Sequence, residues 1–333
     1  MLYVARDANG AGPWLWALDV DRKVTRRVSF GLEKYTSVAA SANGRRLVAT
    51  VSNPSATLWS IPILDRLAGE GDVRPYPLPT VRALMPRFGA DSLFYISSRG
   101  AGDGLWRYRN REALEIWNGA TAALLEPPAV SPDGRWVAFV IRQNGSLRLH
   151  VETAEGMESR DLITSLAIRG TPCWSTDAKW IVTGGNDGRG DGLFKIRVQG
   201  GIPIRIASGP AANPVWSPDG SIILYEGANV GGQSPVLAVR PDGSRVDWPA
   251  IRVQRDGERL RFLPSGKGLV YMQGEMQIQD FWILDMATKK KRQLAHLTAN
   301  ATMRTFDITP DGKQIVFDRL RENSDIVLID LPK

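Results

Sequence analysis

Short apolar runs alternate with turn signals along the whole chain, and one phrase recurs between them. It reads Ser131-Pro132-Asp133-Gly134, Ser217-Pro218-Asp219-Gly220 and Thr309-Pro310-Asp311-Gly312, with worn copies at Ser41-Ala42-Asn43-Gly44, Ser175-Thr176-Asp177-Ala178, Leu263-Pro264-Ser265-Gly266 and Phe88-Gly89-Ala90-Asp91. Pro presets φ for a turn, and Asn-Gly or Asp-Gly supplies the positive φ that a tight hairpin demands. A β-rich strand follows each turn, at 47–51, 93–97, 136–140, 180–184, 222–226, 269–273 and 315–319, and 2–6 has the same character without a turn before it. The first residues of these eight strands lie 45, 46, 43, 44, 42, 47 and 46 apart. That period matches one four-stranded propeller blade. A further strand follows each, at 14–19, 57–61, 104–108, 147–151, 193–196, 236–239, 280–285 and 325–330. More polar segments such as 24–30, 202–208 and 291–297 read as outer strands, because an exposed sheet edge must not template aggregation.

The pattern therefore predicts an all-β chain: a single β-propeller domain over 1–333, built of four-stranded antiparallel blades. Its units start near 1, 36, 83, 127, 170, 212, 258 and 303, each pairing its own second and third strands. The first and last units are incomplete. Pairing 24–30 with the last unit gives seven blades, and keeping both incomplete units gives eight; six is the less favoured count. The missing strand also suggests a piece of a longer protein.

Composition narrows the partners. The formal charge is +7, yet the arginines are scattered through every segment, so a solvated basic surface is expected and nucleic acid is not. The one dense run, Lys289-Lys290-Lys291-Arg292, falls at a hairpin tip. No apolar run is long enough to span a membrane, and Met1-Leu2-Tyr3-Val4-Ala5-Arg6 reads as a strand, not a signal peptide. The single Cys173 excludes an internal disulfide and reads as a small buried hydrophobe. A monomer is expected.

The phrase Trp216-Ser217-Pro218-Asp219-Gly220, the strand Ile222-Ile223-Leu224-Tyr225 after it and the pair Gly200-Gly201 resemble TolB-like, WD-repeat-like propellers over nearly the whole chain. The stretch 303–312, with Arg321-Glu322-Asn323-Ser324-Asp325-Ile326-Val327-Leu328-Ile329-Asp330, is similar to the C-terminal propellers of bacterial membrane serine/threonine protein kinases. That resemblance implies an extracytoplasmic sensor part; otherwise the lack of a signal peptide points to the cytoplasm. No kinase activity carries over, since the His-Arg-Asp and Asp-Phe-Gly motifs are absent.

Catalytic signals are sparse. Only His150 and His296 are present, in different units, and Gly-x-Ser-x-Gly is absent. The Gly-rich segment 184–192 offers Asn186, Asp187 and Asp191 to a calcium ion but lacks the closing bidentate Glu, so it reads as a connection and no metal or cofactor is expected. The segments leading into the inner strands pass the channel mouth. They carry Arg82, Arg169, Arg259 and Arg304, with Lys34 and Glu126 in the equivalent region. Converging guanidinium groups suit a carboxylate or phosphate. The sequence thus points to a non-catalytic binding, sensor or scaffold propeller, part of a larger signalling protein, taking a protein, a peptide or an anionic small ligand. The alternatives are a hydrolase or lyase at the channel mouth, or a soluble TolB-like envelope protein.

Overall fold

The recurring Ser/Thr-x-Asp turn is built the same way in four of the blades, where it joins the first strand to the second. In a computed structural model, Ser217 donates its hydroxyl to Asp219 Oδ1 (2.6 Å) and accepts the backbone N–H of Ile222 (3.0 Å), while Asp219 Oδ1 accepts the Ser221 N–H (3.0 Å). Gly220, at φ +73°, returns its N–H to the Ser217 carbonyl at 2.9 Å. Ser131 with Asp133, Ser175 with Asp177 and Thr309 with Asp311 repeat the arrangement. A short side-chain network thus replaces the backbone pairs lost at the bend, and the strand that follows leaves it in a set direction.

The structure describes residues 1–7, 12–29, 34–43, 45–52, 55–98, 103–120, 122–162, 165–255, 257–275, 277–299, 301–321 and 324–330. Strands make up all of their regular structure apart from one short 3₁₀ segment at Glu70–Asp72. Blade 1 runs Leu84–Gly89, Ser92–Ser98, Asp103–Arg109 and Glu112–Trp117 from the axis outward. Blade 2 comprises Ala129–Val130, Trp136–Gln143, Ser146–Thr153 and Ser159–Leu162, with Ala123–Leu124 also paired to its second strand. Blade 3 comprises Ala167–Trp174, Trp180–Asn186, Asp191–Arg197 and Ile204–Ser208. Blade 4 comprises Ala212–Trp216, Ile223–Glu226, Gln233–Val239 and Arg245–Val246, and Arg252–Gln254 adds to its third strand. Blade 5 comprises Leu260–Phe262, Gly268–Glu275, Ile278–Asp285 and Lys291–Gln293.

Blade 6 corrects the expected closure. Its inner strands are Phe306–Ile308 and Gln314–Arg321, but its third and fourth are Ser55–Pro62 and Arg74–Pro75. The strand Ser324–Asp330, expected in the same blade, pairs instead with Arg46–Ser52. Register is unchanged across the exchange: Arg46 faces Asp330 and Ser52 faces Ser324, then Ser55 faces Arg321 and Pro62 faces Gln314. Two hairpins expected within their own units are therefore replaced by pairings between the two units. Sheet-to-sheet contacts among the described residues run in a closed circuit through six blades, not the favoured seven or eight. Val24–Arg27, expected to close the ring, pairs only with Trp14–Asp19. It belongs to an accessory sheet with Leu2–Ala5, which packs on a second sheet of Lys34–Ala40, Arg46–Ser52 and Ser324–Asp330 around Leu15, Tyr35, Leu47, Ala49 and Val51.

Blade faces are sealed by aromatic and branched side chains. Phe281 of blade 5 meets Phe306 and Phe317 of blade 6 edge-on, with ring centroids 5.2 and 5.3 Å apart, and Trp117 of blade 1 meets Phe139 of blade 2 at 5.3 Å. Ala68–Gly69 pairs in parallel with Ala295–His296, tying the lead-in to the closing strand onto blade 5. Arg319 locks the same segment by a bidentate pair to Glu70 at 2.7 and 3.0 Å.

Removing one turn hydroxyl exposes how much each bend contributes. Ser217→Ala strands the buried Ile222 N–H and is expected to lower unfolding free energy by about 1–3 kcal/mol in urea titration. Ser41→Ala, in the exposed turn of an accessory sheet, is expected to cost less than about 1 kcal/mol.

Candidate functional site at the channel mouth

Inner strands converge at the ring axis, so charged residues on them must find partners there or stay unpaired in a dry interior. Arg87 projects from the inner strand of blade 1, Asp307 from that of blade 6, and Glu258 and Arg261 from the lead-in and inner strand of blade 5. All four are buried. Arg87 pairs with Glu258 and donates Nε to the Pro128 carbonyl (2.8 Å). Arg261 reaches Glu258 at 2.5 Å and Asp307 at 3.3 Å. Asp307 also accepts the N–H groups of Phe88 (2.7 Å) and Ile308 (2.9 Å). The axis is thus closed by a lattice of two arginines and two carboxylates joining blades 1, 2, 5 and 6. Burial pushes the Glu258 carboxyl up to about 7 against the opposing pull of Arg87, and it raises Asp307 as well. Cys173, on blade 3, accepts the Trp216 N–H, and burial pushes its thiol up to about 12. That is an inert thiol.

At one end of this plug lies a cavity of about 620 Å³. Its wall draws on every blade: Met85 from blade 1, Glu126 from the lead-in to blade 2, Arg169 and Gly170 from blade 3, Asn213 and Glu226 from blade 4, Gly257 from the lead-in to blade 5 and Arg304 and Thr305 from that to blade 6. Two buried side chains hold the rim. Asp318 of blade 6 accepts the N–H groups of Arg304 (2.7 Å), Thr305 (3.1 Å) and Met85 (3.2 Å) and the Thr305 hydroxyl (2.9 Å). Asn213 accepts the Thr171 N–H and donates to the Gly257 carbonyl, both at 3.0 Å, so it spans blades 3, 4 and 5. Gly170 is required beside it: its φ is +75°, and a Cβ there would stand 2.6 Å from Asn213 Oδ1.

The four arginines singled out in the sequence separate here. Arg169 and Arg304 both line the cavity. Arg169 is paired with Asp191 at 3.0 Å and is more than half exposed, whereas the exposed Arg304 side chain has no ion-pair partner among the described residues. Arg259 does not line the cavity; it is buried in blade 5, where its guanidinium meets the Met303 carbonyl and the Met272 sulfur. Arg82 is held by Asp103 at 2.9 Å, outside the cavity wall. Lys34 brings an accessory sheet to this end of the ring: burial, Arg82, Arg6 and Arg304 push its ammonium down, and Asp103 opposes them. Glu126 lines the cavity.

The residue that sequence reasoning missed is Glu226. It ends the second strand of blade 4, is 4% exposed, lines the cavity, and its Oε1 has no hydrogen-bond partner among the described residues. Burial pushes its carboxyl up to about 8; Glu258 and Glu126 add to the rise, and the Asn213 amide and Arg259 oppose it. Elsewhere, His150 is bound to Asp161 at 2.7 Å and His296 to Asp280 at 3.1 Å, in separate parts of the ring. In the Gly-rich loop, the carboxylates considered for calcium are met by protein donors: Arg205 pairs with Asp187 at 2.5 Å, and Asp191 accepts from Arg169 (3.0 Å) and the Asn186 amide (2.9 Å).

No protein-family model matches the chain, and no curated protein matches its sequence. Solved structures do match its fold. A TolB protein from Agrobacterium tumefaciens superposes with a TM-score of 0.60 at 18% identity, covering 81% of this chain and 99% of that one. TolB from Acinetobacter baumannii gives 0.54 at 12% identity, covering 97% and 80%. The fold is a TolB-like propeller. An oligogalacturonate lyase in complex with manganese also matches, at 0.52 and 12% identity over 88% of this chain and 99% of that one. At these identities the TolB-like likeness speaks for the architecture alone.

The buried charges make stability respond to pH and to truncation. Arg87→Met leaves Glu258 and Asp307 short of a partner and is expected to cost about 3–5 kcal/mol, with Arg87→Met/Glu258→Gln recovering much of it in urea titrations. Glu226 and Glu258 bind protons more tightly folded than unfolded. Their contribution is complete below about 4.5 and is lost as pH rises through about 7 to 8. The thermal midpoint is therefore expected to fall between pH 5 and 8. Glu226→Gln should flatten that decline; an unchanged slope would contradict the burial of an acid at this position.

Proposed function

We propose that this TolB-like propeller is a binding protein, not a catalyst, and that it takes an anionic ligand or an acidic peptide at the channel mouth. The observation that carries this reading is Arg304: an exposed guanidinium without an ion-pair partner among the described residues, on the wall of a cavity of about 620 Å³ that Arg169 also lines. Asp318 and Thr305 fix the backbone beneath it, so the charge is presented from a rigid rim. A net charge of +7 adds long-range attraction for anions. Its role would then be that of a sensor or scaffold part of a larger signalling protein, as the sequence resemblance at 303–312 and 321–330 implies.

A second reading has one observation in its favour. Glu226 holds a proton near neutrality on the cavity wall, as a general acid or base would, and one of the similar folds is a lyase. Turnover that disappears in Glu226→Gln would favour it; binding without turnover favours the first.

Titrating a fluorescein-labelled hexaglutamate peptide into the protein separates the readings. Arg304→Ala is expected to weaken binding at least tenfold, because a charge-assisted contact contributes roughly 1.5–3 kcal/mol. Arg169→Ala should weaken it less, since Asp191 already shares that guanidinium. Arg109→Ala, at the outer edge of blade 1 beside Asp91, should change nothing. Equal affinity across all four proteins would overturn the proposal.

A further inference from the structure

Charge is sorted along the depth of the cavity. Arg304 and Arg169 stand exposed on its wall, whereas the buried Glu226 carboxyl lies near two other carboxylates, Glu126 and Glu258. Glu258 is committed: Arg87 and Arg261 both hold it. Asn213 is committed as well, to Thr171 and Gly257. Glu226, buried on the cavity wall, has no donor for its Oε1 among the described residues. A buried acid without a partner is costly, and a structure this closely fitted retains few such groups. A ligand carbonyl could only accept from the protonated carboxyl, and a ligand hydroxyl could donate to it without offsetting the charge of its ionised form. A cationic donor would also repay its ionisation among neighbouring carboxylates.

We propose that the ligand of this cavity is zwitterionic: an ammonium group enters first and pairs with Glu226, and a carboxylate behind it is held at the mouth by Arg304. This rests on the reading of Arg304 as an anion site and narrows it to amino acids and peptides that present both charges. The facing groups act together. Glu126 and Glu258 make the interior favourable to a cation, the Asn213 amide and Arg259 favour the ionised Glu226 carboxyl, and Arg259 is itself fixed on the Met303 carbonyl. Binding couples to a proton. The Glu226 carboxyl, neutral before binding at pH 7, ionises against the incoming ammonium and releases its proton to solvent.

Three probes of one length test this in the intact chain: 6-aminohexanoate, hexanoate and hexylamine, titrated calorimetrically at pH 7 in two buffers of different ionisation enthalpy. The expected result is that 6-aminohexanoate binds at least tenfold tighter than either one-ended probe and releases close to one proton. In Glu226→Gln that advantage over hexanoate and the proton release should both vanish. The variant removes a buried acid, so its thermal midpoint should not fall, and that measurement guards against misfolding. Hexanoate binding as tightly as 6-aminohexanoate, with both still weakened by Arg304→Ala, would overturn the zwitterion and leave the anion site standing. Hexanoate binding that ignores Arg304→Ala would overturn both. No binding of any probe at tens of millimolar overturns the zwitterion.

Discussion

A ring of sheets has no stable partial form, because each blade buries its faces only against its neighbours, so the first and last must meet. Here they meet through Ser55–Pro62 laid against Gln314–Arg321. The local alternative, two hairpins within their own units, would close loops of two residues instead of roughly 260. By loop-closure entropy the difference is only about 4 kcal/mol, since each doubling of length costs about 0.6. The pairing seats Ala56, Leu58 and Ile61 at 1–2% exposure between blades 5, 6 and 1. Each large apolar side chain buried this way contributes about 1.5–3 kcal/mol. Burial exceeds the entropy, and the long-range pairing wins.

The same closure determines what happens at the axis. Six inner strands leave a narrow interior, and the polar residues on them lie within reach of one another. Arg87, Arg261, Glu258 and Asp307 turn that crowding into cross-ring pairs that bridge blades distant in sequence. Such a lattice adds little net stability over apolar packing, but removing one member leaves a charge stranded. It therefore acts as a registry device: a blade displaced by one position would break several pairs at once.

How much of this was legible in the chain follows from which contacts are local. The Ser-Pro-Asp-Gly turns are self-contained networks over six residues, so they could be read directly, and with them the blade period and the TolB-like fold. Blade count could not be read, because the strands at 46–52, 55–62, 314–321 and 324–330 carry no mark of which partner they take. Of the four arginines, Arg169 and Arg304 line the cavity because both sit at the start of blades. Arg259 misled because Arg259, Leu260, Arg261 and Phe262 alternate like a half-buried strand, and at the axis both faces are enclosed. A signal for the missed residues did exist. Arg87, Glu226, Asp307 and Asp318 are charges set inside or at the end of apolar strands that the fold must bury.

Glu226 differs from the other three in what surrounds it. Arg87 and Asp307 answer each other across the axis, and Asp318 is saturated by three backbone donors and a hydroxyl. Each of those buried charges helps to hold the ring together. Glu226 holds nothing through Oε1. Its carboxyl survives in the interior by keeping its proton, which avoids the ionic burial cost and leaves hydrogen-bonding capacity unused at the cavity wall. Structural need explains the lattice beneath it and the Asn213 bridge beside it, yet neither requires a carboxyl at this position.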